Sequence, residues 1–186
     1  MQWAWPERTI NTPSSGYVFI AQLRDRLPDA IGHCLWFAYG PANTSCFVPV
    51  YAGVTDLPDT WDHPADFTRI DRQQAQWNFR LVHNLANNLR YQDAIRDIQR
   101  VLGPAEARFL ANQADVEKKA MGVLQRHGPQ RAEVFLTDYS RQCTTQVGYA
   151  YHELVDYLML QYLVGYGQIA PPKLPQVGVP VIPDAP

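Results

Sequence analysis

Three cysteines and five histidines are the residues of this 186-residue chain that most readily carry nucleophilic or metal chemistry. A thiol becomes a nucleophile when a base lies within hydrogen-bond reach. Cys34 directly follows His33, but adjacent residues of an extended strand point to opposite faces, so His33 cannot activate it. Cys46 opens an apolar strand beside Ser45, and Cys143 lies in a helical stretch with no histidine three or four residues away. All three read as buried thiols. Their odd number and wide spacing give neither a disulfide framework nor a zinc pattern. His33, His63, His83, His127 and His152 contain no His-Glu-x-x-His run and no close pair, so no metal site is expected. There is no glycine-rich phosphate loop, and no cofactor is expected.

The remaining polar candidates cluster near the first strand. Arg8 precedes Thr9-Ile10. Gln22 and Arg24 alternate onto the same strand face as Val18 and Ile20. A buried arginine there would require a carboxylate partner or an anionic ligand; a solvated strand end is the plainer reading of Arg8 and of Arg24. One helix face, Arg80, His83, Asn84, Asn87 and Asn88, is amide-rich and reads as a polar surface stripe.

The elements that must position these residues change period near Phe67. Residues 16–53 read as strands: Gly16 to Arg24 alternates, Ile31 to Tyr39 is almost wholly apolar and is expected to be covered on both faces, and Ser45 to Tyr51 carries Pro49, which confines it to an edge or a bulge. Short turns between them predict an antiparallel meander. Beyond a loop, Asp71 with Gln74 suggests a capping box, and Trp77, Leu81, Leu85 and Leu89 follow at helical spacing. Gly103-Pro104 is a stop signal, as is His127-Gly128-Pro129. The expected helices are 71–102, 104–126 and 131–164, with Gly148 and Gly165 as kink or end points. Residues 168–186 hold six of the fifteen prolines, so an extended tail follows a single domain over residues 1–167. Strands followed by helices predict an α+β fold.

Composition narrows the function classes. The formal charge is −2, with 16 basic and 18 acidic residues, so no basic field is available to neutralise nucleic-acid phosphates. The longest apolar candidate, Tyr149 to Tyr166, is interrupted by His152, Glu153 and Asp156, and no run reaches the roughly 18–20 residues of a membrane span. The N-terminus shows no basic stretch followed by an apolar core, which favours the cytoplasm.

A longer pattern joins these pieces. Glu7-Arg-Thr-Ile10, Gln22-Leu-Arg24, Leu27-Pro-Asp29, Ile31-Gly32, Leu35-Trp-Phe37 and Phe47-Val-Pro-Val-Tyr-Ala-Gly53 are followed by Trp77-Asn-Phe79, Val82-His-Asn-Leu-Ala86 and Phe135-Leu-Thr-Asp-Tyr-Ser140. In order and spacing this resembles the dipeptidase A and secernin family of cysteine peptidases, over roughly residues 5–165. Near Tyr151 and at Gln161 to Gly165 the pattern departs from the family's. The resemblance implies an N-terminal nucleophile hydrolase with an αββα sandwich, acting on dipeptides without a metal, through a cysteine exposed as residue one of the mature chain. It begins in the family's middle, so the nucleophile is expected on a missing N-terminal half, and the chain is expected to be inactive alone. That half could also carry a secretion signal. The expected partners are a small peptide substrate, and either the missing half or a second copy at an open sheet face. A large apolar patch is expected around Val18, Ile20, Leu35 or Trp36. The resemblance also implies that Arg8, and less directly Gln22, belong to the substrate site. The alternatives are a non-catalytic remnant acting as an interaction module, or an amidase or acylase on other small amides.

Overall fold

A computed structural model describes residues 11–63, 65–164 and 172–183. The first three strands, β1 (Tyr17–Gln22), β2 (Cys34–Tyr39) and β3 (Val48–Tyr51), form an antiparallel sheet in the order β1-β2-β3. Tyr17 lies opposite Tyr39 and Gln22 opposite Cys34, while Cys34 also faces Tyr51. Pro49 sits in edge strand β3, where its missing N–H costs no ladder bond.

The register sorts the sheet into two faces. Cys34, Trp36, Ala38 and Tyr51 lie on one face and are buried; helix α4 (Tyr91–His127) reaches this face through Gln113, whose Nε2 donates to Gln22 Oε1 at 2.5 Å. Tyr17, Phe19, Leu35, Phe37 and Val50 lie on the other and are not buried, whereas Val48 on that same face is fully buried. Tyr17, Phe19 and Phe37 stack there with ring centroids 6.1–6.3 Å apart. The strand β2 is therefore fully covered on one face only. Of the residues expected in an apolar patch, Trp36 is packed inside, while Tyr17 and Phe19 on one face of β1 and Ile20 on the other are exposed.

Between β1 and β2 the chain makes a single helical turn, α1 (Asp29–Gly32), so β2 starts three residues later than the apolar run begins. This turn is wedged between two strand ends. The Gly53 N–H donates to the Ala30 carbonyl at 3.0 Å, and Arg24 Nε donates to the Gly32 carbonyl at 3.0 Å. A β-carbon on Gly32 would lie 2.7 Å from the Arg24 carbonyl oxygen, and one on Gly53 would lie 3.0 Å from Ala30 Cβ. Both glycines are required by close backbone approach.

The helical part departs from expectation at two points. Helix α3 spans Ala75–Asn88, and Gln74 at its N-cap makes no side-chain cap. Asp71 Oδ1 instead accepts the Gln73 N–H at 2.9 Å, closing a turn ahead of the helix rather than a capping box. The chain then breaks at Leu89-Arg90 and continues as α4 straight through Gly103-Pro104. The missing proline N–H would have met the Arg100 carbonyl, and Arg100, Gly103 and Pro104 are all exposed. That side of the helix faces solvent, while Val101, Leu102, Ala105 and Phe109 stay buried on the opposite side; their packing offsets the roughly 3 kcal/mol cost of an internal proline.

The second stop signal behaves as read. Gly128, at φ 84°, joins α4 to α5 (Pro129–Leu158), with Pro129 at the first position of α5. So short a link makes the two long helices antiparallel neighbours. Their seam buries Phe109, Val116, Ala120 and Val123 with Ala132, Leu136, Cys143 and Val147. Phe79 of α3 stacks on Tyr151 of α5 at 3.6 Å, and the Tyr151 hydroxyl donates to the Thr44 carbonyl at 2.6 Å. Helix α5 passes into a π-turn at Met159–Val164, held where the Tyr157 and Tyr162 hydroxyls donate to Asp97 Oδ2 at 2.8 and 2.6 Å. Residues 172–183 are extended; Arg108 donates to the Val177 carbonyl and Val181 N–H to Gln142 Oε1, laying this segment across α4 and α5.

The glycine geometry separates two kinds of substitution. Gly32→Ala and Gly53→Ala should each lower the unfolding free energy by about 1–3 kcal/mol through overpacking, whereas Gly103→Ala, with open space around its β-carbon, should leave it unchanged or raise it by about 0.5–1 kcal/mol. Urea denaturation of the three variants beside the parent chain measures this.

Candidate functional site

The three thiols are all buried inside the described fold. Burial pushes Cys34 up to about 12, aided by the nearby Glu117 carboxylate and opposed by Arg24. Burial also pushes Cys143 up to about 12 and raises Cys46 well above the ordinary thiol value. None is a thiolate near neutral pH, and none lies open to a substrate.

Arg24 is not a solvated strand end. Its NH1 and NH2 donate to Glu117 Oε2 and Oε1 at 3.0 and 2.5 Å, in a bidentate pair whose side chains are 16% and 11% exposed. Together with the bond to Gly32, this occupies the guanidinium with structural partners. Gln22 is similarly engaged: its Oε1 accepts from the Trp36 indole N–H at 3.3 Å as well as from Gln113. Arg8 lies outside the described residues.

The amide-rich helix face is only partly a surface stripe. His83 is buried, whereas Arg80, Asn84, Asn87 and Asn88 are exposed. Asn87 Nδ2 donates to His83 Nε2 at 2.6 Å, which leaves Nδ1–H to donate to Thr44 Oγ1 at 3.2 Å. The ring is thus a neutral imidazole bracing the turn at Ala42–Thr44, and burial with the nearby Arg80 lowers its pKa. Arg80 itself lies over the Phe67 ring at 5.2 Å.

Sequence reading passed over a cleft of about 320 Å³ between the short helix α2 (Asp59–Asp62), the start of α3 and the middle of α5. Its walls include Thr60, Arg72, Asn78, Thr145, Gly148 and His152. Arg72 NH1 pairs with Asp156 at 2.6 Å, and its NH2 donates to the His152 carbonyl at 2.6 Å. Gly148 gives the only available signal in sequence, a glycine inside a helical pattern; a β-carbon there would sit 3.2 Å from the Trp61 indole nitrogen. Among the described residues, no group of three or more His, Cys, Asp or Glu side chains could hold a metal ion.

The family model of peptidase family C69 matches residues 2–102. No curated protein matches the chain. The matched stretch contains Arg24, the α1 turn and Gly53, which the structure joins into one backbone junction, and it takes in the whole sheet and α3. Covering more than half of the 186 residues, the match places this chain in peptidase family C69.

Proposed function

We propose that this chain is part of a cysteine-dependent hydrolase of dipeptides whose attacking thiol is none of Cys34, Cys46 and Cys143 and is supplied by a segment outside this sequence. The observation that carries the reading is the burial of all three thiols with raised pKa values. At pH 7 a thiol with a pKa near 12 is ionised in only about one molecule in 10⁵. A cysteine at a chain terminus avoids this, since its own α-amine takes the thiol proton. Its sulfur then attacks the scissile carbonyl, hydrogen-bond donors hold the resulting oxyanion, the amine leaves with a proton, and water cleaves the thioester. The nucleophile-bearing segment contributes the second sheet of the αββα sandwich and covers the Tyr17, Phe19 and Phe37 row. Arg8, within the family match, binds the substrate. Gln22, whose amide oxygen is already engaged, serves as a positioning residue that fixes the strand end beside it.

Two measurements test this reading. Ellman's reagent at pH 8 should leave all three thiols of the native chain unreacted over a time in which the denatured chain reacts completely. Rapid titration of any one in the native chain would overturn the assignment. The same burial sets an alkaline limit on the fold. Because Cys34 and Cys143 ionise only near pH 12 when folded and near 9 when unfolded, the unfolded chain loses protons first. Their contribution to stability should be complete below about pH 9 and lost as pH rises to about 12.

For activity, the chain alone should release no amino acid from dipeptides. Addition of the nucleophile-bearing segment, fused or in trans, should establish hydrolysis. Arg8→Ala should then reduce turnover by at least about tenfold, and the exposed control Arg131→Ala should not. Hydrolysis by the chain alone that disappears in a triple Cys34, Cys46 and Cys143→Ala variant would refute the proposal.

A further inference from the structure

Residues 172–183 cross the helical layer as an extended segment whose burial repeats every third residue. Val177 and Pro180 are buried and Leu174 is half-buried, while Lys173, Gln176 and Val179, each one position earlier, are exposed. Leu174 and Val177 pack into the core cluster. Three residues per turn is the period of a polyproline II helix. Pro172, Pro175, Pro180 and Pro183 favour that extended form before any contact is made.

Both long helices hold the main chain of this strap. From α4, Arg108 NH2 donates to the Val177 carbonyl at 3.1 Å and Lys119 Nζ to the Pro183 carbonyl at 3.4 Å. From α5, Gln142 Oε1 accepts the Val181 N–H at 2.9 Å. Gly178 lies so close to α5 that a β-carbon on it would stand 3.3 Å from Gln146 Cγ and Cδ. The two spacings agree. Arg108 and Lys119 are separated by about 16 Å of α-helix, and Val177 to Pro183 spans about 19 Å at the polyproline II rise. The strap thus lies in the furrow between α4 and α5, running with α4 and against α5.

We infer that the α4–α5 furrow is a recognition site for an extended, proline-bearing peptide with an apolar residue at every third position, and that residues 172–183 are its tethered occupant. A segment already extended in solution loses little conformational freedom on docking. Leu174, Val177 and Pro180 read the side-chain pattern, and the bonds from Arg108, Lys119 and Gln142 set the register. A flexible tether holds the strap at an effective concentration of about 1 mM, so a free peptide of the same kind enters only when the strap leaves. Arg108, Lys119, Gln142 and Gln146 all lie beyond the family match at residues 2–102. The inference therefore goes beyond the hydrolase reading and does not rest on it.

Fluorescence anisotropy of a labelled synthetic peptide of residues 172–183, titrated with the full chain, tests it. A full-length Val177→Glu variant, whose own strap carries a charge at a buried position, should bind the peptide at least about tenfold more tightly than the parent chain does. A peptide carrying Val177→Glu should bind that variant at least about tenfold more weakly than the unaltered peptide. A peptide carrying Val179→Ser, changed at an exposed position, should bind it as the unaltered peptide does. Equal binding by parent and variant, equal binding of the Val177→Glu peptide, or no binding to the variant at about 1 mM would overturn the proposal. If the circular dichroism spectrum shows that the variant does not fold, the parent chain decides the matter after native cleavage at the exposed Lys173 by a lysine-specific protease and dialysis. The cleaved chain should take up labelled peptide that the intact chain excludes, and failure to do so would overturn the proposal equally.

Discussion

The guanidinium of Arg24 is the point on which the two parts of this fold depend. It is clamped by both oxygens of Glu117 in the middle of α4 and by the Gly32 carbonyl at the end of α1. Arg24 lies two residues beyond the end of β1, so this cluster ties the first strand to the long helices and to the turn that launches β2. Removing either charge would strand the other in a largely desolvated position, a loss well beyond that of a surface pair. Gly53 and Gly32 complete the junction from the backbone side, since only an absent side chain lets the ends of β1 and β3 close on α1.

This junction also explains why residues that carry family likeness need not carry chemistry. Arg24, the Leu27-to-Asp29 and Ile31-Gly32 pieces and Gly53 all belong to the pattern that carries the family resemblance, and Arg24, Gly32 and Gly53 each have a structural occupation. Gln22 is occupied in the same way by Trp36 and Gln113. The sheet of a family C69 peptidase is thus assembled in this chain by a polar network rather than by apolar packing alone, and the chemistry is proposed to arrive on an open face bordered by Tyr17, Phe19 and Phe37.

Periodicity made the α+β order, the antiparallel meander, the edge position of Pro49 and the Gly128-Pro129 hairpin legible, because each follows from local backbone rules. At Pro104 and at Arg24, tertiary packing overruled a local signal. Pro104 stays inside α4 because its lost bond faces water while Phe109 and Leu102 face the core. The break at Leu89-Arg90 has no glycine or proline to announce it. Arg24 looked solvated because its partner lies 93 residues away. Arg72, an ordinary polar residue in sequence, gains its partners only when α5 brings Asp156 and the His152 carbonyl against it.

That separation of 93 residues between Arg24 and Glu117 has a consequence for synthesis. Helix α4 and helix α5 meet through a one-residue link, so their contacts are local and form quickly. The three strands leave the ribosome before the long helices and must wait for Glu117 and the helical seam. At about 5–20 residues per second, that delay is about 5–20 s. During it, Trp36 and Tyr51 on one side and the stacked rings on the other are all uncovered. The nascent sheet is consequently the stretch of this protein most in need of a chaperone's shelter, and slowing translation between β3 and α4 would lengthen its exposure.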